Sequence, residues 1–346
     1  MLRGHQHHAR RVGEILRILG KYGLADWLSP LDYDWLDHHL ISAEGKTLHG
    51  LPRARRIRLA LTELGTSFIK IGQIMSTRPD LVGTELAAEL SQLQASTPAD
   101  DFSQVVTTIE EEFGQGPDTL FARFDPTPIA SASIAQVHNA VLESGERVVV
   151  KVMRRSIEDM VSRDLEIFVR FAALAERHVT RLAQYQPAAT ARYFQRTVLR
   201  ELNFSYELRH LEQFTRNFIG DDQVNFPKPY HKLSSRRVLT MELLDGIPVS
   251  DVDRLQGEAI KLDAFARRAA NVYLEMIFRD GFYHADPHPG NLMLLPGEAV
   301  GVLDCGMVGR IDNTLREEIE HMLLAALHRG DEALTAAVVR LGDVPS

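Results

Sequence analysis

The segment from His284 to Gly306 constrains this chain more tightly than any other part of it. It opens with His284-Ala285-Asp286-Pro287-His288-Pro289-Gly290-Asn291. Two prolines and a glycine there leave the backbone little choice but a rigid loop. Two short apolar runs follow, Leu292–Leu295 and Val300–Leu303, and Pro296-Gly297 between them marks a hairpin. The second run ends on Asp304-Cys305-Gly306. Asp286 and Asn291 therefore precede the hairpin and Asp304 follows it. The loop itself comes after a largely apolar helical run, Asp263–Arg279.

Elsewhere the first hundred residues read as helices. Val12, Ile15, Leu16 and Leu19 form an apolar stripe, with Arg10, Arg11, Glu14, Arg17 and Lys21 on the other faces. Ile57, Leu61, Leu64, Phe68, Ile71 and Met75 predict one helix over Arg56–Ser76, stopped by Thr77-Arg78-Pro79-Asp80. Helices are also expected over Leu81–Gln94 and Phe102–Phe113. From Phe121 the pattern changes. Val137–Leu142 and Arg147–Met153 are β-branched runs joined by Glu143-Ser144-Gly145-Glu146, a hairpin signature. Helical periodicity returns over Ile157–Leu182 and Ala189–Phe214, Arg237–Leu243 reads as a buried strand, and Thr314–Leu341 is helical. The expected order is a helical segment over 1–115, a small mixed lobe over 116–243 and a mostly helical lobe over 244–346.

Composition narrows the function classes. The 346 residues are 45% apolar and 25% charged, the balance of a folded globular protein rather than a disordered or fibrous one. The single cysteine, Cys305, excludes an intramolecular disulfide and a multi-cysteine zinc site, and fits a reducing compartment. No run reaches the ~18 apolar residues of a spanning helix, and Met1–Tyr22 is too charged for a signal peptide. The net charge of −8 is uneven, because residues 1–60 hold ten Lys/Arg against six Asp/Glu and six of the fourteen histidines. This basic head on an acidic body admits contact with an anionic membrane, a solvated face, or an α-helix packed on the core. The acidic body argues against nucleic acid as a partner.

Asp286 and Asn291 stand five residues apart, the Asp-to-Asn interval of the kinase catalytic loop H-R-D-x-x-x-x-N. Asp304 then falls where a kinase has the magnesium-binding Asp of D-F-G. Asn291 and Asp304 supply the oxygen donors that hard Mg²⁺ requires. Asp286 by itself would be an Asx-turn before proline. His284, Asp286 and His288 also admit a zinc or iron site, although Pro287 and Pro289 restrict how three side chains converge. Upstream, Val148-Val149-Val150-Lys151-Val152 resembles the V-A-I-K strand. A lysine in an apolar strand needs a partner, expected on the helix that carries Glu201, Asn203 and Glu207. Where a kinase has G-x-G-x-x-G, this chain has Ile129-Ala130-Ser131-Ala132-Ser133-Ile134, small residues whose backbone N–H groups can still approach phosphate.

Together these residues resemble the UbiB/AarF family of atypical protein-kinase-like proteins, the bearers of the ABC1 domain. The resemblance runs from about Arg56 to the C-terminus. Lys70-Ile71-Gly72-Gln73 matches the family's Lys-x-Gly-Gln, Ala130–Ser133 its alanine-rich loop, Lys151 its strand lysine and Glu207 the helix glutamate that pairs with it. Glu201 matches the first acid of Glu-x-Asp, and Asp286, Asn291 and Asp304 match the catalytic loop and metal-binding Asp. Three positions depart from the pattern. Ser131 stands where many members have alanine, Asn203 replaces the Asp of Glu-x-Asp, and Cys305 replaces the Phe of D-F-G, where looser packing is expected.

The resemblance implies an α+β, protein-kinase-like bilobal fold with a helical N-terminal extension. It implies binding of ATP and Mg²⁺ and a role in isoprenoid-lipid and quinone biosynthesis, with ATP hydrolysis favoured over phosphorylation of proteins in trans. It assigns Lys151 to the α/β-phosphates with Glu207 as its partner, Asn291 and Asp304 to Mg²⁺, Asp286 to the role of base or water-positioning carboxylate, and Ala130, Ser131, Ala132 and Ser133 to the phosphate cover. Met241, Glu242 and Leu244 are assigned to the adenine, and Lys70, Gln73, Glu201 and Asn203 to a regulatory latch. Gly65 and Gly72 are expected to let the Lys70 helix approach a neighbouring backbone. The implied partners are ATP, an isoprenoid lipid or quinone precursor, an anionic membrane touched peripherally, and a homodimer or biosynthetic complex. The implied place is the cytoplasm or the inner face of the membrane. A small-molecule phosphotransferase and a non-catalytic, nucleotide-gated lipid or partner module remain alternatives. Family members are often longer and some end in hydrophobic helices, which leaves open whether the natural chain continues past Ser346.

Overall fold

The computed structural model describes residues 2–24, 50–93, 98–178, 186–257, 262–328 and 331–341. Helices come first: α1 (Leu2–Lys21), α2 (Arg53–Leu64), α3 (Thr66–Ser76), α4 (Pro79–Val82), α5 (Thr84–Leu90), α6 (Phe102–Phe113) and α7 (Pro117–Leu120). Strands β1 (Arg123–Phe124), β2 (Ala130–Ser131), β3 (Ala135–Val141) and β4 (Arg147–Met153) follow, then α8 (Ile157–His178), α9 (Pro187–Glu201) and α10 (Phe204–Asn217). Next are β5 (Val224–Asn225), β6 (Val238–Glu242), β7 (Ile247–Pro248), α11 (Val252–Gly257) and α12 (Leu262–Leu274), which runs into a π-helical turn over Glu275–Arg279. The chain continues through β8 (Phe282–His284), β9 (Leu292–Leu294), β10 (Val300–Val302), β11 (Val308–Arg310), α13 (Asn313–Leu327) and α14 (Asp331–Leu341). One sheet has the order β1-β3-β4-β6 with β2 on β3, a second has the order β5-β10-β9-β7, and β8 pairs with β11. The chain divides into two compact units, Met1–Gly145 with Val150–Asn203 and Arg236–Val238, and Glu146–Val149 with Phe204–Ser235 and Leu239–Ser346.

In the first unit the apolar stripe of α1 is spent on the core. Ile15, Leu16 and Ile18 are buried, and Val12, Leu19 and Phe171 pack around Leu16. Arg11 fixes the register. Its Nε and Nη2 donate to the carboxylate of Asp164 on α8 at 2.8 and 2.9 Å, and Nη2 also donates to the Leu64 carbonyl at 2.8 Å. Lys21 pairs with Glu63 at 3.0 Å. Of the three sequence readings of this helix, the packed one describes its apolar face, so that face is not offered to lipid. No helix of the described residues is long and apolar enough to cross a membrane.

The helix expected over Arg56–Ser76 is two helices. Gly65, at φ +93°, ends α2 and begins α3, a conformation that costs a side-chain-bearing residue energy. Apolar spacing continues across the break, which is why periodicity does not reveal it. Gly83, at φ +84°, likewise splits the helix expected over Leu81–Gln94 into α4 and α5, and Gln94 lies outside the described residues. Gly72 does permit close packing, but of side chains rather than of another backbone. A Cβ there would collide with Leu93 Cδ1 and lie 3.0 Å from Leu61 Cδ1. The helix expected over Ala189–Phe214 breaks after Glu201. Leu202 and Phe204 are both buried, and between them stands Asn203, a residue that competes with helical backbone bonds. The helix expected over Ile157–Leu182 is described to His178.

In the second unit Phe214 of α10 stacks on Phe226 at 5.0 Å and meets Phe282 of β8 at 4.6 Å, which ties the helix to the start of the segment that carries Asp286 and Asn291. The expected hairpin is β9–β10, antiparallel with Val300 opposite Leu294 and Val302 opposite Leu292. Strand β5 runs parallel to β10 on its other side. Strand β8 pairs with β11 so that Val308 lies opposite His284. The loops on either side of the hairpin therefore begin and end on one paired ladder. The helical tail is α13 and α14, and Asp312 caps α13 by accepting from Leu315 N–H at 2.8 Å.

Candidate active site

Chemistry-bearing residues converge at the mouth of the β9–β10 hairpin. Leu303 N–H donates to the Asn291 carbonyl at 2.9 Å, so Asn291 and Asp304 stand side by side at one hairpin end. The Asn291 amide donates to the backbone carbonyl and to Oδ2 of Asp286, both at 3.1 Å. That commits the nitrogen of Asn291 to Asp286 and leaves its amide oxygen as a donor for a cation. Asp304 Oδ1 accepts from Gly306 N–H at 2.9 Å, which sets the carboxylate's orientation. Glu207, 4% exposed on α10, approaches the same spot. A Cβ on Gly306 would lie 3.0 Å from Asp304 Oδ1 and 3.9 Å from Glu207 Oε2.

The loop is held by its own polar groups. His284 is buried, and Asp286 N–H donates to its Nδ1 at 3.2 Å. Its Nε2–H donates to the Asp304 carbonyl. Both ring nitrogens are thus engaged, and the tautomer follows from that pairing. The Nδ1 of His288 accepts from Gly290 N–H at 3.0 Å. His284 therefore has no nitrogen to give a metal, which removes the three-residue zinc or iron reading. One amide oxygen and one carboxylate at a hairpin end instead suit a hard divalent cation such as Mg²⁺.

Two residues of this site escape a reading of the sequence. His210, one helical turn after Glu207, donates from Nδ1 to the Cys305 carbonyl at 2.9 Å. Cys305 itself is wholly buried. The i, i+3 spacing from Glu207 was the available signal for His210. Tyr273 of α12 lies edge-on to His284 at 6.3 Å between ring centres, and its hydroxyl is buried. Burial, with Cys305 and Asp286 adding to it, pushes that phenol up to about 12. No local motif marks it.

Met241 is buried in β6, whereas Glu242 is exposed, with its N–H on the Lys228 carbonyl at 2.9 Å and its carboxylate accepting from Lys228 N–H at 3.2 Å. Leu244 packs towards Gly301, its Cδ1 3.3 Å from where a Cβ would stand.

In the first unit Lys70 Nζ lies 2.7 Å from Glu201 Oε2, with side chains 26% and 13% exposed. Gln73, three residues on, diverges from it and donates to the Leu93 carbonyl at 3.1 Å. Asn203 N–H donates to the Arg200 carbonyl at 3.1 Å, closing the end of α9. Lys151 is half-buried on β4 between the buried Val150 and Val152. Ala130 and Ser131 form β2 opposite Val137 and Gln136, and Ala132 N–H donates to the Ala135 carbonyl at 2.9 Å. Ser133 is buried.

The model of the ABC1 atypical kinase-like domain matches residues 92–338. A "Probable protein kinase UbiB" of Aeromonas salmonicida is 36% identical over 345 residues, covering 97% of this chain and 63% of that protein. Its counterpart in Azotobacter vinelandii is 38% identical over 299 residues, covering 85% of this chain and 56% of that protein. The chain thus spans about three-fifths of the length of these curated relatives. Among solved structures, the Rv3197–erythromycin complex of Mycobacterium tuberculosis shares the fold, with a TM-score of 0.59 and 24% identity over 81% of this chain and 70% of that one.

Proposed function

The chain belongs to the ABC1 atypical kinase-like family, and from that premise we propose that it is an ATP- and Mg²⁺-dependent kinase-like ATPase serving isoprenoid-lipid or quinone biosynthesis. The observation that carries this reading is the grouping of Asp286, Asn291 and Asp304 at one end of the β9–β10 hairpin. Asn291 and Asp304 would hold Mg²⁺, which would supply neutralisation of charge on the phosphoryl group. Asn291 also fixes one oxygen of Asp286, and the other accepts the proton of the attacking hydroxyl or orients an attacking water. The backbone of Ala130–Ser133 covers the phosphates, Lys151 and Glu207 take the roles the resemblance implies, and Met241, Glu242 and Leu244 receive the base.

The Lys70–Glu201 ion pair lies within the first unit, and we extend to it the regulatory role that the family resemblance implies, nucleotide turnover without phosphorylation of proteins in trans. Asn203 carries no charge where the family has Asp, so this latch is weaker than a Glu-x-Asp pair. A lipid or quinone precursor as the served substrate follows from the family, and peripheral attachment at the inner face of the membrane is part of the same proposal. The test is ADP release from MgATP, measured with and without anionic liposomes and quinone-like phenols, beside radiolabel transfer to added protein. We expect Mg²⁺-dependent ADP release that lipid or phenol stimulates, with no transfer to protein. Absence of Mg²⁺-dependent nucleotide turnover under all conditions would overturn the proposal.

A further inference from the structure

The Ala130–Ser133 loop is held from outside by the side chain of Arg154, three residues beyond Lys151 and only 8% exposed. Its Nε donates to the Ala132 carbonyl at 3.0 Å, and its Nη2 donates to Ser131 Oγ at 2.7 Å and to the Pro98 carbonyl at 2.8 Å. Its Nη1 pairs with the carboxylate of Asp100. The backbone N–H of Asp100 in turn donates at 3.0 Å to Oε1 of Gln136, the residue opposite Ser131 in the β2–β3 ladder. One guanidinium thus joins the loop, the segment leading into α6 and the end of β4. A buried arginine is costly unless its donors are matched, and here four acceptors from two segments take four of its five N–H groups. The fork geometry matters, since an ammonium cannot reach in several fixed directions at once.

We propose that Arg154 is a positioning residue for phosphate: it presets the backbone of Ala130–Ser133, and the Ser131 hydroxyl is part of that clamp. A loop built of glycine reaches its phosphate-binding shape by backbone freedom. This loop of alanines and serines has less of that freedom, and the clamp supplies its shape instead. The inference rests on the phosphate role proposed above for Ala130–Ser133. It makes Ser131 a functional departure from alanine in this chain, because alanine has no acceptor to offer Arg154.

The experiment measures binding of MgATP and of adenosine to the wild type, Arg154→Lys, Ser131→Ala and the double variant. Adenosine lacks phosphates, so a loss confined to MgATP separates loop positioning from general damage to the fold. We expect Arg154→Lys to weaken MgATP binding about tenfold or more and leave adenosine binding unchanged. Ser131→Ala should weaken MgATP binding in the same direction but less, and the double variant should bind no worse than Arg154→Lys. If Arg154→Lys does not fold, Ser131→Ala measured with the same two ligands carries the test. Equal losses for both ligands, no loss for either, or losses that add in the double variant would overturn the clamp. A wild type that binds adenosine but not MgATP overturns the phosphate role itself, and the inference with it, before any substitution is made.

Discussion

Removing Arg11 tests whether α1 is part of the folded unit. Asp164 is 2% exposed at its side chain and Arg11 22%, and the two share hydrogen bonds of 2.8 and 2.9 Å. Arg11→Ala leaves a buried carboxylate without its cation and the Leu64 carbonyl without its donor. Breaking one partner of a buried pair costs about 3–5 kcal/mol, and the partial exposure of Arg11 admits water, so the lower end, about 3 kcal/mol, applies. The contact with Glu14 adds little, because it lies at the surface. Arg11→Lys keeps the charge but loses the fork and should cost about 1–2 kcal/mol. The double variant Arg11→Met/Asp164→Leu removes both charges and should return to within about 1 kcal/mol of wild type. The assay is denaturant unfolding of the four proteins, read as a double-mutant cycle. A cost below about 0.5 kcal/mol for Arg11→Ala, the range of ordinary surface substitutions, would refute the reasoning.

Gly72→Ala should gain about 1 kcal/mol of helix propensity yet melt lower, because overpacking against Leu93 and Leu61 costs about 1–3 kcal/mol; Leu93→Ala in the same background should narrow the deficit. Lys70→Ala breaks the pair with Glu201 and should raise autophosphorylation and change the ATPase rate, so radiolabel uptake and turnover equal to wild type would exclude a latch. His138 is fully buried, and burial holds its pKa below the ordinary 6.5. The folded state disfavours the charged ring, so stability is complete above pH 6.5 and falls as pH drops from there through the lowered value. His138→Phe should flatten that decline in melts between about pH 7 and 5, and an unchanged slope would assign the decline to other groups.

The segment His284–Gly306 was legible because its determinants are local: prolines and a glycine fix the loop, and two apolar runs about one Pro-Gly fix the hairpin. The Lys70–Glu201 contact was legible only through the resemblance, since the residues are far apart in sequence and helix spacing alone does not choose a partner. Gly65 was misread because an apolar repeat of threes and fours continues across a left-handed glycine as if the helix did. The fate of the α1 stripe was undecidable from its own residues. An amphipathic face looks the same to lipid and to protein, and what settles it is Asp164 on α8. Arg154 was missed for a similar reason. Nothing in Met153-Arg154-Arg155-Ser156 sets Arg154 apart from Arg155, and only the fold brings Pro98, Asp100, Ser131 and Ala132 within its reach.

Mg²⁺-dependent nucleotide binding by Asp304→Asn tests the central claim most directly. Asparagine keeps the volume of the side chain and an oxygen to accept from Gly306 N–H, but loses the charge that holds a cation at the hairpin end beside Asn291. Titration of ATP into wild type and variant, each with Mg²⁺ and with EDTA, should show tighter binding with Mg²⁺ for wild type alone and matching melting curves for the two proteins. An Asp304→Asn protein that binds ATP as tightly as wild type, with the same gain from Mg²⁺, would contradict the account.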